Sequence, residues 1–110
     1  MAPAQNELLH GTLETLILKT LAAGPRHGYA IARWIEETTG DELQIEDGSL
    51  YPALYRLENR GWIDAGWTTS ELGRRVKAYR LTAAGRRRLA KSVKEWTAFA
   101  GSVAKVLGRI

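Results

Sequence analysis

The stretch Asp47-Gly48-Ser49-Leu50-Tyr51-Pro52-Ala53-Leu54-Tyr55-Arg56-Leu57-Glu58-Asn59-Arg60-Gly61, continuing into Trp62-Ile63-Asp64-Ala65-Gly66-Trp67-Thr68, changes its hydrophobic period midway. In the first half Leu50, Leu54 and Leu57 recur at helical spacing and share one face. Pro52, Tyr55, Arg56 and Asn59 project from the other side, with Ser49 and Tyr51 at its flanks. Asp47 or Ser49 can accept a bond from the free amides of a first turn, and Pro52, tolerated near a helix start, places the boundary close by. Gly61 suits a left-handed helix end. Beyond it the period falls to two: Ile63, Ala65 and Trp67 alternate with Asp64 and Gly66, the pattern of a strand. Residues 76–81 read as a second strand, and 69–75 as a turn segment with Arg74 and Arg75 near its tip.

Working upstream, Thr12 can cap a helix whose Leu13, Leu16, Ile17 and Leu21 recur at helical spacing, and Gly24-Pro25 ends it. A second helix is predicted over residues 27–39, with Ile31, Trp34 and Ile35 as its inner stripe and Gly40 as its stop. Residues 41–47 form a polar connection anchored by Ile45. Three helices followed by a two-stranded hairpin is the order of a winged helix-turn-helix. There the third helix enters the major groove, and the hairpin tip lies along the backbone or minor groove.

Downstream, Thr82 can cap the longest helix, although Gly85 stands where a capping box would place Glu or Gln. Leu89, Val93, Trp96, Ala100, Val103, Leu107 and Ile110 follow in steps of 4, 3, 4, 3, 4 and 3, a heptad seam that Phe99, Ala104 and Val106 widen. Residues 1–81 cannot cover a helix this long. Either part of the stripe meets another chain, or the helix folds back on its own domain. The expected fold is α+β, mostly α: a winged helix-turn-helix over residues 1–81 and a dimerisation helix over 82–110.

Charge is segregated along the chain. Residues 1–72 hold five basic and eleven acidic side chains, and residues 73–110 hold eleven basic ones and a single acid, Glu95. Such a balance suits a face that meets a polyanion, but it suits a solvated basic helix equally. With 45% hydrophobic and 25% charged residues, the 110-residue chain reads as one soluble globular domain. No apolar run is long enough to span a membrane, and Met1 to Gly11 lacks the pattern of a secretory signal. The absence of cysteine removes disulfides and thiolate metal sites and fits a cytoplasmic protein.

Three stretches together resemble the PadR family of bacterial repressors, in its short form with a single C-terminal helix. Gly11-Thr12-Leu13 through Gly24-Pro25-Arg26-His27-Gly28-Tyr29-Ala30-Ile31 is similar to the family's opening, with its G-T-L and P-x-H-G-Y-x-I. Gly48 to Glu58 with Gly61-Trp62-Ile63 resembles its G-[ST]-[LI]-Y-P-x-L-x-x-L-E helix and the G-x-I that follows. Gly73 to Gly85 resembles the basic wing and its Y-x-L-T-x-x-G close, departing at Ala78, where relatives often carry a second aromatic residue.

The resemblance implies roles for individual positions. Ser49, Tyr51, Tyr55 and Arg56 fall where the family's third helix meets DNA, His27 and Tyr29 where the backbone is touched, and Arg74, Arg75 and Lys77 on the wing. The chemistry agrees: Arg56 can donate two bonds to guanine and Asn59 can pair with adenine, while tyrosine hydroxyls and wing arginines suit phosphates. Structural readings stand beside these. Tyr51 can be half core, Tyr29 reads better as a packing residue, and Arg86, Arg87 and Arg88 read better as a solvated helix start.

The family also senses small aromatic or cationic molecules near its dimer interface. Trp96, with Ala100 and Gly101 one turn on, can line a flat slot for an aromatic ligand or simply fill the dimer core. The expected function is a sequence-specific duplex-DNA-binding regulator, a homodimeric repressor released by such a ligand, with no cofactor and no metal. The alternative is a winged-helix module that binds proteins and not DNA. An enzyme is disfavoured: no nucleophile elbow, phosphate loop or metal-ligand cluster stands in the sequence, and His10 and His27 lie far apart.

Overall fold

The structure, a computed structural model, describes Leu9 and residues 11–108. The stretch read for a secretory signal, His10 and the seam's last residue, Ile110, lie wholly or mostly outside the described residues. The order is α1 (Leu13–Ala22), β1 (Arg26–His27), α2 (Gly28–Thr38), α3 (Asp47–Asn59), β2 (Ile63–Thr69), β3 (Arg75–Leu81) and α4 (Ala83–Leu107). The strands form one antiparallel sheet in the order β1-β3-β2. The fold is thus a mostly helical winged helix, as the change of period predicts. None of the described helices is long and apolar enough to cross a membrane.

The core is built from the predicted stripes. Ile17 and Leu21 of α1, Ile31 and Ile35 of α2, and Leu50, Leu54 and Leu57 of α3 are buried in one cluster with Ile63, Tyr79 and Leu81 of the hairpin. Burial pushes the Tyr79 phenol above its ordinary value, against the pull of the Lys77 ammonium, so the ring stays neutral in this core. Ile45 anchors the α2–α3 connection, and its amide donates to the buried Glu36 carboxylate at 2.9 Å. A buried acid of this kind is tolerable because its oxygens are satisfied, here by Ile45 and by Arg33 at 3.2 Å.

Three local expectations are corrected. Thr12 occupies the N-cap position of α1, but its hydroxyl donates to the Leu9 carbonyl at 3.3 Å and caps nothing. Asp47 and Ser49 lie inside α3, where Glu46 is the N-cap residue and the amides of Ser49 and Leu50 both bond to its carbonyl. Pro52 is therefore the sixth residue of α3, not part of its start. Its missing N–H falls opposite the carbonyl of Gly48, and Gly48 is exposed, so water can take the bond. The short strand β1 has no counterpart in the sequence reading. Pairing of Arg26 with Tyr79 and of His27 with Ala78 ties the start of α2 to the hairpin.

The predicted cap of α4 is present. Thr82 Oγ1 accepts from the Gly85 amide at 3.0 Å and donates to the Gly61 carbonyl at 2.7 Å. The lack of a capping-box acid also has its reason: a Cβ on Gly85 would run into the carbonyl oxygen of Trp62. The two corners, α3 into β2 and β3 into α4, meet there backbone to backbone. From that point the first half of α4 lies on α1, with Leu89 against the core and Ser92 buried. The second half leaves it, and the molecule measures 52 Å along its longest axis.

Candidate nucleic-acid interface

Because Leu50, Ala53, Leu54 and Leu57 take the whole inner side of α3, the rest of the helix faces solvent. Pro52, Tyr55 and Asn59 lie at the centre of that outward face, and Tyr55 is 67% exposed. Ser49 and Arg56 flank it on one side and Tyr51 on the other. Tyr51 divides its surface: its ring edge lies against Gly28, where a Cβ would come within 2.9 Å of it, yet 46% of the residue remains open. The half-core reading and the exposed reading of Tyr51 therefore both describe part of it.

That contact places the first turn of α2 beside α3. His27 is exposed at the N-cap of α2, in extended conformation. Tyr29 is 70% exposed, which overturns the packing reading: α2 turns Ile31, Ala32 and Ile35 inward, and Tyr29 lies off that stripe. The structure thus brings His27, Tyr29, Tyr51 and Tyr55 to adjoining parts of one surface.

The hairpin adds charge. Ser70 and Arg74 close its tip through the Ser70 amide and Arg74 carbonyl at 2.8 Å, with Gly73 at φ +78°. A positive φ is strained for a side chain with a Cβ, so glycine suits the turn. Arg74 and Arg75 are exposed, and among the described residues neither forms an ion pair. Arg75 lies over the Trp67 ring at 5.1 Å, which braces it against the strand. Lys77 sits nearer the wing base. Its ammonium donates to Glu58 of α3 at 3.2 Å and lies 5.5 Å from the Tyr79 ring. It ties the wing to the third helix as well as adding charge.

Arg56 also has a partner that the sequence reading missed. Its Nε donates to Glu14 of α1 at 2.8 Å, and Arg60 Nη1 takes the other oxygen of the same carboxylate at 2.9 Å. Glu14 stands 42 positions from Arg56, and no local pattern joins them. Of the α4 arginines, Arg86 and Arg87 are exposed, whereas Arg88 lies over the Trp62 ring at 4.9 Å, as Arg60 does at 5.1 Å.

On α4, Val93, Trp96, Val103 and Leu107 are all substantially exposed, with Trp96 at 52%. Leu89 and Ala100 are only partly so. Trp96 and Val93 border a largely apolar cavity of about 380 Å³ between α1 and α4, whose other walls are Thr12, Thr15, Leu16, Lys19 and Leu43. The small residues Ala100 and Gly101 are not among its walls; Gly101 is open one turn on, but the enclosed space beside the indole lies toward α1. Among the described residues no group of three or more histidines and carboxylates stands close enough to hold a metal ion.

Residues 17–91 match the family described as transcriptional regulator PadR-like. A protein of Lysinibacillus sphaericus, itself uncharacterised, is 33% identical over 92 residues, 84% of either chain. An uncharacterised 37.1 kDa protein of a Streptomyces fradiae transposon is 39% identical over 97 residues, of which the match spans only 24% of its length. Among solved structures, a transcriptional regulator from Clostridium thermocellum superposes with a TM-score of 0.85 at 28% identity, covering 93% of this chain and 99% of its own. A PadR family transcriptional regulator from Eggerthella lenta superposes at 0.80 with 33% identity, covering 92% and 86%.

Proposed function

This chain belongs to the PadR-like family of transcriptional regulators, and from that premise we propose that it is a cytoplasmic, homodimeric repressor that reads a specific duplex sequence through α3. The observation that carries this reading is the third helix itself. Its leucines are wholly spent on the core, while a polar and aromatic face stands open between the first turn of α2 and a basic hairpin. In the proposed complex α3 lies in the major groove, with Arg56 and Asn59 at base edges and Ser49, Tyr51 and Tyr55 close to the strands. His27 and Tyr29 meet one backbone, and Arg74, Arg75 and Lys77 follow the other or enter the minor groove. Val93, Trp96, Ala100, Val103 and Leu107 pair with the same residues of a second copy, and Leu89, packed mainly against its own core, closes the edge of that seam.

Selection of bound sites from random duplexes, followed by a salt titration on the winning site, tests the reading. Affinity is expected to fall with salt at about −0.9 in log K per neutralised phosphate, giving a steep slope overall. Absence of binding, or binding without a slope, would leave the surface to a protein partner. The roles of helix and wing separate in the same assay. Arg74→Ala with Arg75→Ala should weaken all duplexes alike and flatten the slope by about two phosphate contacts. Arg56→Ala should relax preference at one or two base positions by about 1–3 kcal/mol. A uniform loss for the Arg56 variant, with preference unchanged, reassigns it to phosphate.

We also propose release by a planar aromatic or cationic ligand beside Trp96. The half-exposed indole over an apolar cavity supports this. Such compounds should quench the fluorescence of the wild-type chain and loosen operator binding. Equal quenching in the Trp96→Ala variant removes the sensing role.

A further inference from the structure

Among the described residues, Arg56 is a candidate base reader that the protein itself already holds. Glu14 accepts from Arg56 Nε at 2.8 Å and from Arg60 Nη1 at 2.9 Å, so both carboxylate oxygens are engaged, each by a different arginine one helical turn apart. The Glu14 side chain is only 28% exposed, whereas those of Arg56 and Arg60 are 44% and 49% exposed. The acid is thus set into the α1–α3 junction and the two cations stand outside it. An arginine bonded through Nε keeps its two terminal nitrogens, the pair that matches O6 and N7 of guanine.

We propose that Glu14 is a specificity-determining positioning residue: from α1 it fixes the Arg56 guanidinium so that the terminal nitrogens present a set fork to a guanine edge. The inference rests on the reading of α3 as the base-reading helix. A freely rotating arginine would gain from any nearby phosphate as readily as from a base, and would favour all sequences. A held one gains fully only where a guanine stands in register, since an ordered fork loses less freedom on binding. The Glu14 carboxylate also lies beside the groove-facing helix, where it opposes phosphates and lowers affinity for every duplex alike, which shifts affinity but not discrimination.

The test compares operator and random duplexes for the wild type, Glu14→Ala, Arg56→Ala, the double variant and Glu37→Gln. The last removes one exposed carboxylate, the partner of Arg33 on α2, without touching Arg56. For Glu14→Ala we expect discrimination at the guanine position to fall about three- to tenfold, while affinity for random duplex holds or rises. The double variant should discriminate no worse than Arg56→Ala alone, because Glu14 acts through Arg56. Glu37→Gln should leave discrimination unchanged. Circular dichroism reports folding for each variant, and alanine is well tolerated in the first turn of α1. If Glu14→Ala keeps wild-type discrimination while Arg56→Ala loses it, the positioning role falls and the base-reading role stands. If Arg56→Ala keeps it too, both fall together. If Glu37→Gln relaxes discrimination as Glu14→Ala does, only net charge is at work and the proposal is overturned.

Discussion

Replacing Gly85 by alanine is expected to destabilise the fold by about 3–4 kcal/mol, although alanine is the better helix former. At an open position in a helix the same change is worth about 1 kcal/mol in the opposite direction, so the sign of the effect is itself the test. The physical reason lies at the crossing of two chain corners. A Cβ on Gly85 meets the Trp62 carbonyl, and the Leu81 side chain stands 2.7 Å away on another side. Backbone cannot yield as a flexible side chain can, so α4 must be pushed off the α3–β2 corner. That movement would break the bond from the Thr82 amide to the Trp62 carbonyl, now 3.1 Å, and stretch the Thr82 hydroxyl contact to Gly61. Overpacking costs about 1–3 kcal/mol and each lost bond about 1 more, a large share of the 5–15 kcal/mol that holds a typical domain. Urea unfolding measures it. Gly101→Ala is the control in the same helix, since nothing lies within 4 Å of the added carbon and the position is off the apolar seam. It should stabilise by about 0.5–1 kcal/mol. Equal and favourable effects at both glycines would mean that the two corners are not in contact.

Gly85 also marks where the sequence is readable and where it is not. A glycine at the third position of a helix looks like a missing capping partner when only its neighbours are considered. The reason for it lies in Trp62, which is brought close by the hairpin. The main elements were legible because each carries its own period. Leu50, Leu54 and Leu57 can face one core only as a helix, and Ile63, Ala65 and Trp67 alternate only in a strand. The outward face of α3 followed as the complement of its leucines, and so Tyr55 and Asn59 were found without any contact information.

What stayed hidden depends on residues far apart in the chain. β1 is two residues long, too short for any periodicity, and exists because Arg26 and His27 meet β3. Glu14 carries no local sign that it will bridge Arg56 and Arg60. Thr12 and Thr82 look equally good as caps, yet only Thr82 finds the amide three residues on, because Thr12 turns back to Leu9. The spacing along α4 says that Trp96 shares a face with Val93 and Val103, but the cavity beside it is walled by Thr15, Leu16 and Lys19 of α1. The tertiary approach of α1 to α4 decides that, and no heptad count along α4 contains it.

Changing Val93 and Val103 together to aspartate should turn a dimer into a folded monomer and abolish tight operator binding. In the single chain both valines are already open, at 44% and 36%, so aspartates there keep their water. Val93 also borders the apolar cavity against α1, so stability of the protomer should fall by about 1 kcal/mol while the fold is kept. Pairing two copies through the α4 seam would instead bury the carboxylates without partners, at about 3–5 kcal/mol for an uncompensated charge. A two-fold interface presents each substitution twice, so the penalty far exceeds what a micromolar dimer can absorb. A monomer can engage only one half-site, and it forfeits the gain of about 10²- to 10⁴-fold that linked binding confers. Sedimentation should show the wild type as a dimer at micromolar concentration and the variant as a monomer. Circular dichroism should show both folded, and titration should show the variant binding operator with the weak, salt-dependent affinity of random duplex. A wild type that is monomeric yet binds its operator tightly would overturn the seam. A variant that remains dimeric would move the interface elsewhere on the molecule. Loss of fold in the variant would mean that α4 depends on these valines within its own chain, contrary to their exposure.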